Sequence, residues 1–138
     1  MNRFIGNLKV VEWLVVATVT FILGTFAIDE FRVHFAKRQG IADAQRDIAA
    51  GEISFRIGCK PRAWFDETAA IFRDRFDANL VRSHGCCPTC ADWSYDCAYN
   101  DEIQTAVAQR IVGFSFGDAY GGADDEGRIQ METRLAGK

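Results

Sequence analysis

The chain has 138 residues, a net charge of −3, and 49% hydrophobic and 12% aromatic residues. That composition excludes a disordered chain, and 11 Phe with 3 Trp supply the bulk for one small core but, at this length, not for two. Lys and Arg are scattered rather than clustered, which removes the electrostatic footprint of a nucleic-acid partner.

The first predicted element is the run VVEWLVVATVTFILGTFAI over 10–28, in which Glu12, at the edge, is the only charge. At ~1.5 Å per residue it reaches about 28 Å, close to the ~30 Å of a hydrocarbon core. Its apolar residues surround the helix instead of forming a stripe, so a core helix of a small domain is excluded. A cleaved signal peptide is the rival, with Arg3 and Lys9 as a basic start and Thr25-Phe26-Ala27 as a loose cleavage pattern. Thr25 suits that pattern poorly and the run is long for a signal, so a retained single-pass anchor contacting membrane lipid is expected. Trp13 fits an interfacial ring, and Asp29-Glu30 mark the return to water. The short basic tail and the cysteine count together favour an external or periplasmic soluble part.

Over 29–51, Phe31, Phe35, Ile41, Ala44 and Ile48 recur at helical spacing, predicting a helical stalk with Gly40 as a point of bending and Gly51 as its left-handed end. Ile53, Phe55 and Ile57 alternate with polar residues, predicting a strand over 52–57. Pro61 opens a predicted helix over 62–76, whose apolar face carries Phe65, Ala69, Phe72 and Phe76, widened by Trp64 and Ile71. Arg62, Glu67, Arg73 and Asp74 read as its solvated face.

A second short strand over 79–84 follows closely, parallel to the first through a right-handed crossover. After a cysteine-bearing loop, Asn100 is the predicted cap of a helix with Ile103, Ala106, Val107 and Ile111 inward, ending before Gly113. From Phe114 the chain carries Gly117, Gly121, Gly122 and Gly127 with Asp118, Asp124, Asp125 and Glu126, and a mobile tail is expected. Its acidic spacing does not match a calcium loop, and its glycines match no phosphate-binding fingerprint.

The expected architecture is therefore a small α/β (or α+β) domain with two short strands and flanking helices, preceded by one N-terminal transmembrane helix. Its divisions are an anchor over 1–28, a stalk over 29–51, the domain over 52–113 and a Gly/acidic tail over 114–138.

Cys59 follows the first strand by two residues and Cys86 the second, while Cys87, Cys90 and Cys97 lie in the next segment. Adjacent parallel strands bring both ends together, so the cysteines are expected at one sheet edge, where open α/β sheets place their sites. Three readings follow. The first makes Cys59, Cys86, Cys87, Cys90 and Cys97 disulfide candidates, with one or two bridges holding an irregular loop over 86–97 and an odd thiol left over. The second is thiol-disulfide exchange by Cys87 and Cys90, since C-P-T-C places two sulfurs one turn apart at a helix start. The third is a zinc set of Cys59, Cys87, Cys90 and Cys97, with Cys86 or His84 as substitutes, suited to a cytoplasmic domain.

The order strand, helix, strand, C-P-T-C over 52–90 resembles the thioredoxin and glutaredoxin families. The resemblance implies a redox role for Cys87 and Cys90. Those families also set a cis-proline against the motif from a later loop, whereas this chain has only Pro61 and Pro88.

His34 and His84 are assigned no catalytic role, and no serine has a nucleophile-elbow setting. Trp93, Tyr95 and Tyr99 read first as packing between loop and sheet and second as a recognition surface. The expected function is a membrane-anchored structural or accessory domain that contacts another protein or a second copy, without a cofactor. A tethered thiol-disulfide oxidoreductase and a structural zinc domain are the alternatives.

Overall fold

In the computed structural model, which describes residues 2–58, 62–83 and 88–137, the chain forms α1 (Asn2–Ala49), β1 (Ser54–Ile57), α2 (Phe65–Phe76), β2 (Asn79–Arg82), α3 (Cys90–Ala108) and α4 (Phe116–Ala136). The molecule is mostly helical, with two short parallel strands.

The predicted anchor and stalk are one helix. α1 has 48 residues, and at ~1.5 Å per residue it is about 72 Å long. Its apolar stretch has a mean hydropathy of 1.8 over 18 residues, none of it buried against the rest of the chain. By length and composition, then, α1 is able to cross a membrane.

Further along, α1 changes character. Gly40 and Ala44 are buried, and this part of the helix lies against α3. Gly40, expected as a point of bending, is a contact point: a Cβ there would stand 2.4 Å from the carbonyl oxygen of Tyr95. Only glycine lets the two backbones approach so closely. The end of α1 follows the prediction. Gly51 takes a left-handed φ of +78°, with Gly51 N–H donating to Ile48 C=O at 3.0 Å and Glu52 N–H to Asp47 C=O at 2.8 Å. These two bonds are the Schellman pattern, and they satisfy carbonyls the helix end would leave bare.

β1 and β2 pair in parallel, Ser54 with Asn79 through Ile57 with Arg82, and α2 is the crossover. Both strands are shorter than expected, and α2 begins at Phe65 rather than at residue 62. Pro61 lies outside the described residues.

Two predictions are corrected. The helix expected to open at Asp101 begins eleven residues earlier at Cys90, so 90–97 is not an irregular loop. Its cap is Thr89, whose hydroxyl accepts from Asp92 N–H while the Asp92 carboxylate accepts from Thr89 N–H. Asn100 sits in mid-helix instead, where its amide accepts from Arg56 N–H at 2.8 Å and donates to Arg56 C=O at 2.7 Å. It thereby closes the free edge of β1, whose bare backbone groups would otherwise need water.

The second correction concerns the expected mobile tail, most of which forms α4, a helix packed on α2. Ala123 and Gly127 are buried there, and a Cβ on Gly127 would stand 2.7 Å from Thr68 Oγ1 and 2.9 Å from Thr68 N. The glycines that read as a linker therefore include one that permits close helix packing. Covering by α4 also corrects the reading of the α2 charges as simply solvated. Glu67 pairs with Arg134 at 2.7 Å, and Arg62 binds the buried Asp124.

Phe55 sits at the centre of the core, fully buried and stacked on Phe116 with centroids 4.3 Å apart. Phe72 and Phe114 contact the same ring at 5.7 and 5.8 Å. Phe114 and Phe116 thus fasten the start of α4 to the sheet, and Tyr99, Ile103 and Val107 bring α3 into the same cluster. Phe55, Phe72, Tyr99 and Ile103 are the large side chains that this arrangement removes from water, the main source of its stability.

Candidate functional site

Parallel strands share one carboxyl end, and the chain leaves each strand there to start α2 or α3. This end is the rim of the head. α3 runs parallel to α1, since Tyr95 meets Asp43 and Tyr99 meets Asp47. The exposed apolar stretch of α1, from Glu12 to Ile28, consequently leaves the head on the rim side. Asp29, Arg32 and Val33 of α1 line a cleft of about 290 Å³ with Thr89, Cys90 and Ala91.

Of the five cysteines, Cys90 and Cys97 are described; Cys59, Cys86 and Cys87, with His84, lie outside the described residues. The expected meeting of Cys59 with Cys86, and the Cys87 to Cys90 pair, lie there too. Cys90 and Cys97 are free, exposed thiols on α3. Seven helical residues separate them, about 10.5 Å along the axis. That exceeds the ~7 Å limit between α-carbons for a disulfide, so they cannot bridge each other while α3 is intact. A shared tetrahedral zinc with ~2.3 Å bonds needs sulfurs within about 4 Å, so a set using both Cys90 and Cys97 does not fit this helix. Among the described residues, no group of three metal-ligating side chains converges.

The setting of each thiol bears on its chemistry. Cys90 occupies the first turn of α3, beside the Thr89–Asp92 capping box. Burial pushes the Cys97 thiol up from its ordinary value, and the carboxylates of Asp101 and Asp96 push the same way. Cys97 is thereby held as a thiol near neutrality, the less nucleophilic form.

Asp96, near the end of β2, accepts from the Ser83 hydroxyl, and Asp124 accepts from Arg62 and from Trp64 Nε1 at 2.9 Å. Burial raises the Tyr120 phenol, the Asp124 charge adds to this, and Arg62 opposes it. The Asp124 bonds fasten the segment that leads into α2 to α4, and the Asp96 bond fastens the end of β2 to α3.

Below the rim, the α1 to α3 seam is braced by two matched pairs. Tyr95 donates to Asp43 and Tyr99 to Asp47, both at 2.7 Å. The Arg56 guanidinium lies 5.0 Å from the Tyr95 ring centroid and 4.4 Å from that of Tyr99. Burial and the hydrogen bonds to the aspartates push both phenols up to about 12, so the donors stay protonated throughout the neutral range. The arrangement holds geometry; it does not activate a base. Sequence reasoning missed it, although both pairs have the same i, i+4 spacing, which places two rungs on facing helices. Trp93 takes no part and remains 58% exposed, so the expected packing role holds for Tyr95 and Tyr99 only.

Comparison with protein-family models, curated proteins and solved structures returned no match.

Proposed function

We propose that the chain is a single-pass membrane-anchored accessory domain, with 10–28 in lipid and the head offered to a protein partner. One observation carries this reading: α1 is exposed and apolar from Glu12 to Ile28, and the head is folded on the later part of the same helix. A helix that is apolar on every side and covered by nothing in its own chain fits a bilayer better than water. The domain is read as external or periplasmic, with Cys90 and Cys97 each able to pair only with Cys59, Cys86 or Cys87 in an oxidising compartment.

An accessory role agrees with the use of the buried Asp124 as a structural acceptor for Arg62 and Trp64. Catalytic exchange by Cys87 and Cys90 is the competing reading. An insulin-reduction assay on the full chain separates the two: wild type and Cys90→Ala are expected to match the uncatalysed rate. Acceleration by wild type that Cys90→Ala abolishes would replace the accessory reading with the oxidoreductase.

A further inference from the structure

We infer that the rim of the head is itself a lipid-contact surface, seated on the headgroup layer of the bilayer that α1 enters. The inference rests on the anchored reading above. Its first support is the level at which the rim stands. The cleft beside Cys90 is lined on α1 by Asp29, Arg32 and Val33. At ~1.5 Å per residue, these positions lie about 1.5 to 8 Å beyond Ile28, the last residue of the apolar run. The headgroup layer is itself about 5 to 8 Å deep on each side of the hydrocarbon. Because α1 continues unbroken from there into the seam with α3, no hinge separates head from span.

The second support is apolar surface continuous with the span. Phe31 is 70% exposed and Phe35 61% exposed, although both lie past the apolar run and among charged residues. Trp93, one turn below Cys90, is likewise bare. Helical side chains tilt toward the N-terminus of their helix, and for both α1 and α3 that direction is the bilayer side. All three rings therefore lean toward the interface, where indole groups are favoured.

Charge agrees with a phospholipid surface. Arg32 at the cleft, about 6 Å beyond Ile28, offers a cation at the depth of the phosphates. Asp29 on the same cleft would face the ammonium of a zwitterionic headgroup. The cleft beside Cys90 thus works against lipid rather than in open solvent, and any protein partner reaching it must do so within the headgroup layer.

The test uses the full chain in phosphatidylcholine vesicles carrying either acyl-chain bromines or a headgroup nitroxide. Three single-tryptophan proteins are compared: Trp13 kept in W64F/W93F, Trp93 kept in W13F/W64F, and V112W in a W13F/W64F/W93F background. Val112 is fully exposed in the turn after α3, far from the rim. Bromines are expected to quench Trp13, and the headgroup nitroxide to quench Trp93 several-fold more than the Val112→Trp reporter. Equal nitroxide quenching of those two, with Trp13 still quenched by bromines, would overturn the surface while leaving the anchor standing. Trp13 unquenched by bromines would overturn the anchor and the surface with it. Since W64F removes a donor to Asp124, W13F is also compared with W13F/W93F; the nitroxide-sensitive emission is expected to disappear with Trp93, and its persistence would overturn the surface.

Discussion

Gly40→Ala is expected to force α1 and α3 apart and to destabilise the head by about 3 kcal/mol, the upper part of the usual range for overpacking. The added methyl would meet a backbone oxygen at 2.4 Å, so no side-chain rotamer can relieve it. One helix must shift, and the shift carries the Asp43 to Tyr95 and Asp47 to Tyr99 bonds with it. For a domain of roughly 100 residues, about 3 kcal/mol is a fall in Tm of roughly 10 °C or more. Near-ultraviolet circular dichroism, which reads the tyrosines of the seam, gives the melting curve. Gly24→Ala supplies the control, since a Cβ there meets nothing within 4 Å. It is expected to leave Tm unchanged or raise it slightly, as alanine favours a helix over glycine. A tolerated Gly40→Ala would mean that the helices do not touch as described.

Phe55→Ala is expected to cost about 3 to 5 kcal/mol, the range for removing a buried aromatic ring. Phe55 is fully buried beneath Phe72, Phe114 and Phe116, which come from α2, from the segment before α4 and from α4 itself. Those rings cannot close over the space without moving two helices. A whole small domain is stable by only about 5 to 15 kcal/mol, so the substitution removes much of that margin. The expected result is loss of near-ultraviolet signal at growth temperature while the far-ultraviolet signal of the apolar part of α1 persists. Phe31→Ala, on a ring that the head does not cover, is expected to leave the melting curve in place.

The parallel strand pair, its crossover helix and the left-handed end of α1 were legible because each has a strong local signature. Ile53, Phe55 and Ile57 alternate, Phe65 to Phe76 keeps helical spacing, and Gly51 stands where a positive φ is wanted. The start of α3 was not read because Asp92, Trp93 and Asp96 interrupt an apolar stripe, although Thr89 and Asp92 form a readable capping box. α4 was hidden for a different reason. Gly117, Gly121, Gly122 and Gly127 weaken its intrinsic helicity, and tertiary packing of Ala123 and Gly127 on α2 overrides that preference.

The expected gathering of the cysteines at one edge turns on Cys59, Cys86 and Cys87, outside the described residues, and for Cys90 and Cys97 spacing in sequence does not give spacing in space. Once Cys90 and Cys97 fall two turns apart on a single helix, neither a bridge between them nor a zinc held by both survives. The tyrosine and aspartate rungs required knowing that α1 and α3 lie side by side, which no local pattern announces.

The central claim is that an uncut apolar helix carries the head into contact with lipid. Intact mass of the protein, taken from alkali-washed membranes and from the wash after thiol alkylation without reductant, tests it most directly. The expected result is a species retained with the membranes whose mass still includes residues 10–28 and whose alkylated thiols are odd in number. A soluble polypeptide in the wash, beginning near Ile28, would contradict it.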